Sequence, residues 1–161
     1  MDLQIRPVAE ADIEAVVQIA LLAWEPIFTS FAQILGSEIY SRIYPDWRTL
    51  QRTGIEAICH EGGNTLVWVA ELDGRVVGLI ACKLNLDDKT GEVEYLAVHP
   101  DYQNRGIGTQ LNTFTLDRMK ERGMKIAVLG TGGDPSHAPA RRSYEKAGYT
   151  ALPLVRYYKD L

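Results

Sequence analysis

Two glycines and an arginine stand together in a segment that reads Gln103, Asn104, Arg105, Gly106, Ile107, Gly108 and Thr109. Arg105 is positively charged, and glycines without a Cβ atom let the main chain approach an anion closely. The segment follows an apolar run ending at Val98 and opens a helical pattern, whose first N–H groups and dipole attract negative charge. This arrangement predicts a site for a phosphate or diphosphate, and a plain tight turn is the alternative.

Other phosphate-binding motifs do not fit the spacing of this segment. A P-loop needs a lysine after its second glycine, and no residue here supplies that lysine. A dinucleotide fingerprint needs a third glycine, but Leu111 stands at that position. The preceding antiparallel hairpin also argues against the βαβ unit to which such a fingerprint belongs. NAD and P-loop nucleotides are therefore excluded.

The hydrophobic pattern predicts the elements that position this segment. Apolar residues three and four apart indicate helices, and runs rich in Val, Ile and Leu indicate strands. Asp73-Gly74 predicts a hairpin turn. The predicted strands cover 5–8, 65–72, 75–84, 92–98, 125–129 and one or two segments after 149; the predicted helices cover 13–24, 48–60, 107–122 and a short one ending at 148; residues 26–44 are predicted as loop plus a short helix. Strands interleaved with helices indicate an α/β protein in which helices cover a sheet.

Length, charge and composition exclude several classes of function. The 161 residues fit one domain over 1–161, and a net charge of -4 lacks the basic footprint of a nucleic-acid-binding protein. Two cysteines and three histidines show no metal-ligand spacing, so no metal site is predicted. Apolar runs such as 76–82 are too short to cross a membrane, and no export segment is visible, which predicts a cytoplasmic location.

Two segments of the chain resemble the motifs of the GNAT superfamily of N-acetyltransferases. Leu96-Ala97-Val98-His99-Pro100 followed by Gln103 to Gly108 is similar to its acetyl-CoA motif, Gln/Arg-x-x-Gly-x-Gly/Ala. Residues 140–149, Ala-Arg-Arg-Ser-Tyr-Glu-Lys-Ala-Gly-Tyr, resemble its second motif, and the N-terminal Ile5-Arg6-Pro7 is also similar. The matching pieces follow the family order and leave mainly 24–63 unmatched.

The resemblance implies a mixed, mostly antiparallel central sheet that splays at an acetyl-CoA cleft and carries helices on both faces. It also implies acetyl-CoA as co-substrate. Cofactor contacts are then expected from Leu96, Ala97 and Val98, from 103–109, and from His137 and Tyr144.

The reaction that the family catalyses needs a base and an acid. An alkyl ammonium with a pKa of about 10.4 must lose a proton before its nitrogen attacks a thioester. Glu92 and Glu94, two apart on one predicted strand, are the candidate bases, with Glu94 preferred; two solvated carboxylates are the alternative. The resemblance implies that a main-chain N–H near 96–98 holds the carbonyl oxygen and that Tyr144 protonates the leaving thiolate.

Acceptor selection is expected in the segment after the first helix. Trp24, Phe28 and Phe31 are the candidate substrate contacts for a small-molecule or peptide amine, and ordinary core packing is the alternative. His137 replaces an asparagine that is common in the family, so it contacts the cofactor, shapes the acceptor mouth or is solvated.

Two other functions stay open at this stage. An inactive acetyl-CoA sensor would keep 103–108 without turnover. A partner-binding module would expose the aromatic residues of 24–44. The sequence also leaves open whether the chain forms a homodimer.

Overall fold

A computed structural model describes residues 2–161. Within these residues, five strands and four helices follow one another. The strands are β1 Leu3–Pro7, β2 Thr65–Leu72, β3 Arg75–Asn85, β4 Thr90–Val98 and β5 Ile126–Leu129; the helices are α1 Ile13–Ile43, α2 Trp47–Glu61, α3 Ile107–Glu121 and α4 Ala138–Lys146. Short 3-10 turns cover Glu10–Asp12, Pro100–Tyr102 and Pro135–His137.

The five strands form one sheet in the order β1-β2-β3-β4-β5. The first four strands pair antiparallel, and β5 runs parallel to β4. The β4–β5 pairing extends from Thr90 opposite Ile126 to Val93 opposite Leu129, so the second half of β4 has no partner on that side. This is the mixed, splayed sheet that the sequence predicted.

Both faces of the sheet are covered by helices. On one face α3 buries Ile107 and Leu111 against Val77 and Ile80. On the other face α1 and α2 pack against a set of buried residues that comprises Val16, Val17, Ile55, Val69, Leu79 and Ala97. Alternate residues of each strand therefore face opposite helical layers, as the period of two requires.

The predicted loop between 26 and 44 is wrong, because α1 continues through Pro26 and breaks at Gly36. A proline inside a helix costs about 3 kcal/mol. Aromatic packing offsets that cost, since Phe28 stacks on Trp47 of α2 with ring centroids 4.2 Å apart. Gly36 adopts φ 77° and ψ 162°, which no helix accommodates, and a short helical stretch follows it.

The strands predicted after 149 are also wrong, because 147–161 form no strand. Strand formers such as Val155 and Tyr157 stay exposed. The tail lies instead beside the end of α1, where Arg42 and Asp160 approach to 3.4 Å. Pro153 lacks the N–H needed for a sheet ladder, which also disfavours pairing with β5.

The helical stretch Glu10–Ile43 is long and apolar enough to cross a bilayer by length and composition alone. The sequence prediction rested on continuous apolar runs and did not include a helix of this length. In the fold, Val16, Val17 and Ala20 of this helix are fully buried against the sheet.

Candidate active site

A cleft of about 320 Å³ opens where β4 and β5 separate. Side chains and main chain from β4, the end of β5, α1 and α4 meet there. The lining residues are Trp24, Ile27, Phe28, Phe31, Gln51, Val93, Glu94, Tyr95, Leu96, Leu129, Gly130, Thr131, His137, Ala140 and Tyr144. Seven of the sequence-predicted site residues, from four separate segments, are in this set.

The open edge of β4 presents main-chain groups to the cleft. His99 donates from its N–H to the Val77 carbonyl at 2.8 Å. Because every second residue of a strand bonds to the same neighbour, Ala97 and Tyr95 also direct their main-chain groups to β3. Leu96 and Val98 therefore point their N–H and C=O groups toward the unpaired edge. Ala97, predicted with them as a cofactor contact, points its main-chain groups at β3.

A β-bulge lies on β4 at Glu94. Ala81 pairs with Tyr95 and Cys82 pairs with Val93, which leaves Glu94 without a partner on β3. The sequence prediction placed Glu92 and Glu94 on one face of this strand. Among the described residues, those that line the cleft include Glu94 but not Glu92.

The glycine-rich segment leaves a row of backbone amides free. Within residues 2–161, no hydrogen bond uses the N–H groups of 104–109, because α3 begins there and Gln110 donates the first amide, to the Gly106 carbonyl at 3.0 Å. Gly106 precedes the helix with φ 79°, and Asn104 has φ 61°. These left-handed residues turn successive amides toward one side, which is an anion-binding arrangement.

Side chains of the same segment hold it against the end of β4. Gln103 donates from Nε2 to the Val98 carbonyl at 3.0 Å. Arg105 donates to the Asp101 carbonyl at 3.0 Å, and its guanidinium lies 5.2 Å from the centre of the Tyr102 ring. Arg105 therefore braces the turn while keeping its positive charge beside the free amides.

Tyr144 reaches the cleft from α4. Burial raises the pKa of its phenol, so the group keeps its proton at neutral pH. Its ring meets that of Tyr149 edge to face, with centroids 6.0 Å apart. Tyr149 in turn donates to Asn112 of α3 at 3.2 Å, which ties α4 to the helix that follows the free amides.

Aromatic residues of α1 form the opposite wall. Trp24, Phe28 and Phe31 recur at helical spacing, and all three line the cleft. Phe28 is also buried against Trp47, and Trp24 lies 5.6 Å from the Tyr95 ring. Phe28 thus packs in the core and also reaches the cleft, and substrate contact by these three residues is still a prediction.

His137 lies in the same cleft, against Phe31, with ring centroids 5.9 Å apart. Its Nδ1 is 2.5 Å from Oδ1 of Asp134, and the two side chains are 13% and 8% exposed. Burial opposes the ionisation of Asp134, yet hydrogen bonds from Ser136, Ser30 and His137 lower its pKa to about 2. The carboxylate is therefore ionised at neutral pH.

Asp134, Ser30 and Arg141 are site residues that the sequence reasoning missed. Ser30 of α1 donates to Asp134 at 2.8 Å, and Arg141 of α4 donates to the carbonyls of Gly132 and Asp134 at 2.6 and 2.8 Å. An aspartate three residues before a histidine in a glycine-rich loop was a visible signal. Its meaning depends on α1 reaching this loop, which the sequence did not predict.

Known proteins resemble this chain in sequence and in fold. A family model described as the acetyltransferase (GNAT) family matches residues 27–149. A mycothiol acetyltransferase of Thermomonospora curvata is 36% identical over 94 residues, which are 58% of this chain and 31% of that protein. N-alpha-acetyltransferase 30 of Schizosaccharomyces pombe is 35% identical over 95 residues, covering 56% of this chain and 62% of that protein.

A solved structure extends the likeness over nearly the whole fold. The PaiA N-acetyltransferase of Thermoplasma acidophilum, in complex with coenzyme A, superimposes with a TM-score of 0.72 at 21% identity, covering 94% of this chain and 92% of that one. The chain belongs to the GNAT family of acetyltransferases. It spans less than two thirds of the length of either curated relative.

Proposed function

We propose that this chain is an N-acetyltransferase that moves an acetyl group from acetyl-CoA to a primary amine of a small molecule or peptide, by direct attack in a ternary complex. One observation carries the proposal: the amides of 104–109 are free at the start of α3, beside the open edge of β4. Family membership adds the expectation that such a cleft serves acetyl transfer.

The chain fits acetyl-CoA at both ends of the cleft. The free amides, the helix dipole and Arg105 suit a diphosphate, and Gly106 and Gly108 leave the approach clear of side chains. The main-chain groups of Leu96 and the N–H of Val98 suit the amides of a pantetheine arm, which would pair with β4 much as a strand does. Acetyl-CoA supplies an activated thioester, and the remaining chemistry falls to the protein.

Main chain and Tyr144 are proposed to handle the charges that develop. An N–H on the open edge near Leu96 stabilises the negative charge on the carbonyl oxygen. As the C–N bond forms and the C–S bond breaks, Tyr144 protonates the departing sulfur. The ammonium loses two protons in all: one passes to a base, and the other restores the proton that Tyr144 gives up.

The acceptor is proposed to enter between α1 and the bulge of β4. Trp24 and Phe31 line this part of the cleft with aromatic rings, and Glu94 adds a negative charge that would attract an alkyl ammonium. Of the two carboxylates predicted as bases, Glu94 is therefore the one proposed to meet the acceptor. The relatives are named for different acceptors, so the amine itself must come from experiment.

The proposal is tested in two steps on the full chain. Calorimetry with acetyl-CoA should give saturable binding, and a thiol-release assay over polyamines, aminoglycosides, amino acids and peptide N-termini should show turnover with at least one amine. Binding without thiol release for any amine would favour the sensor. Absence of both would leave the partner-binding module and overturn the proposal.

A further inference from the structure

The contacts of His137 fix which of its ring nitrogens carries a proton. Nδ1 lies against the ionised carboxylate of Asp134, so Nδ1 is the donor and Nε2 keeps its lone pair. Asp134 is itself held by Ser30 of α1 and by the 3-10 turn that it caps. The pair is therefore oriented before any substrate arrives.

The loop packs closely around the pair. A Cβ added at Gly132 would overlap both His137 Nδ1 and Asp134 Oδ1, so a larger residue there would displace the pair. Arg141 closes the loop by donating to two of its carbonyls. Phe31 packs on the imidazole from the other side.

An imidazole suits the required proton transfer better than a carboxylate. Proton transfer is most efficient when the base has a pKa near the operating pH, and the ordinary values are about 6.5 for histidine and about 4.3 for glutamate. His137 and the aromatic wall that would hold the acceptor line the same cleft. An ammonium bound in this cleft would therefore share it with the imidazole, which packs on Phe31.

We propose that His137 is the catalytic residue that takes the proton from the acceptor's ammonium at Nε2, and that Asp134 is its positioning residue. The inference rests on the proposed function. The ammonium N–H bond breaks, its electron pair stays on nitrogen for attack on the carbonyl carbon, and the proton leaves His137 for solvent after transfer.

The charged groups around the imidazole support His137 as the base and Asp134 as its positioning residue. Asp134 on the same loop stabilises the imidazolium that forms, and the Arg141 guanidinium is occupied by loop carbonyls. Glu94 on β4 attracts the cationic acceptor, and Tyr144 on α4 serves the sulfur. Phe31 and Ser30 on α1 are uncharged.

The test compares His137→Gln with a matched His60→Gln control. His60 is an exposed histidine on α2 that bonds to Glu10, so the same substitution is made away from the cleft. With the amine found in the panel, H137Q should lower kcat by about 100-fold or more. The acetyl-CoA dissociation constant should stay unchanged, and H60Q should behave as wild type.

Further measurements separate catalysis from structure. Added imidazole should restore part of the activity of His137→Ala, and Asp134→Asn should lose activity less severely than H137Q. Nitrogen NMR of the histidines in the unmodified protein should show His137 protonated at Nδ1 and free at Nε2, which needs no variant to fold.

The outcomes distinguish the two proposals. An active wild type with H137Q at wild-type kcat, or the opposite tautomer by NMR, would overturn the assignment and leave the acetyltransferase standing. Loss of acetyl-CoA affinity alone in H137Q would make His137 a cofactor contact and overturn it as well. A wild type that neither binds acetyl-CoA nor releases thiol would remove both proposals.

Discussion

Replacing Gly106 by alanine separates the cost of backbone strain from the cost of losing the anion site. Gly106 has φ 79° and ψ 4°, and a Cβ added there meets no protein atom within 4 Å. Left-handed backbone costs an L-residue roughly 1–2 kcal/mol, and the melting temperature should fall by about 2–4 °C per kcal/mol for a chain of this size. Any further effect must come from the ligand.

Gly123 supplies the matched control at the other end of α3. It has φ 82° and equally open space around its Cα, so Gly123→Ala should cost similar stability. We expect calorimetry with coenzyme A to show at least a tenfold weaker dissociation constant for G106A, or about 1.4 kcal/mol, and no change for G123A. Equal affinities in the two variants would refute the placement of the diphosphate at this turn.

Three further substitutions test the other parts of the site and the fold. Tyr144→Phe should lower kcat by about tenfold or more while acetyl-CoA affinity stays within twofold, and equal turnover would remove the acid role. Glu94→Gln should raise KM for a cationic amine by about fivefold, or about 1 kcal/mol, with kcat nearly constant; a loss confined to kcat would make Glu94 the base. Arg6 lowers the pKa of Asp12 below its ordinary 3.8, so this pair stabilises the fold above that pH and the contribution fades as pH falls through the lowered value. Asp12→Asn should therefore cost about 2 kcal/mol in urea unfolding at neutral pH and much less near pH 2, and a pH-independent difference would contradict the ion pair.

The sheet and the turn at Gly106 were predictable because local signals decide them. The turn at Asp73-Gly74 needs two residues with positive φ, and the structure gives 51° and 77° there. Gly106 and α3 were predictable for the same reason, because a glycine before a helix and the apolar positions of that helix lie within a short stretch of sequence. The motifs then place the cleft between β4 and β5.

The course of α1 was not predictable from local signals. Pro26 reads as a helix breaker, and its effect is overridden by packing of Phe28 on Trp47, a residue of another helix. Because that helix continues, Ser30 and Phe31 reach the loop of Asp134 and His137. His137 and Asp134 are close together in the sequence, but Ser30, which holds Asp134 in place, lies 104 residues before it in the chain.

The β-bulge at Glu94 is a second feature that the sequence did not predict. Two glutamates that are two residues apart are expected on one face of a regular strand. The extra residue on β4 becomes visible only in the way that strand pairs with β3. The sequence prediction preferred Glu94 over Glu92. The structure brings Glu94 to the cleft, and its role there is still a prediction.

Acetyl transfer itself is tested most directly by mass spectrometry of the products formed from isotopically labelled acetyl-CoA and the amine panel. We predict that at least one amine gains a single labelled acetyl group on nitrogen, in an amount equal to the thiol released and only when the chain is present. Thiol release without any acetylated amine, or no acetylated product from any amine at saturating acetyl-CoA, would contradict the account.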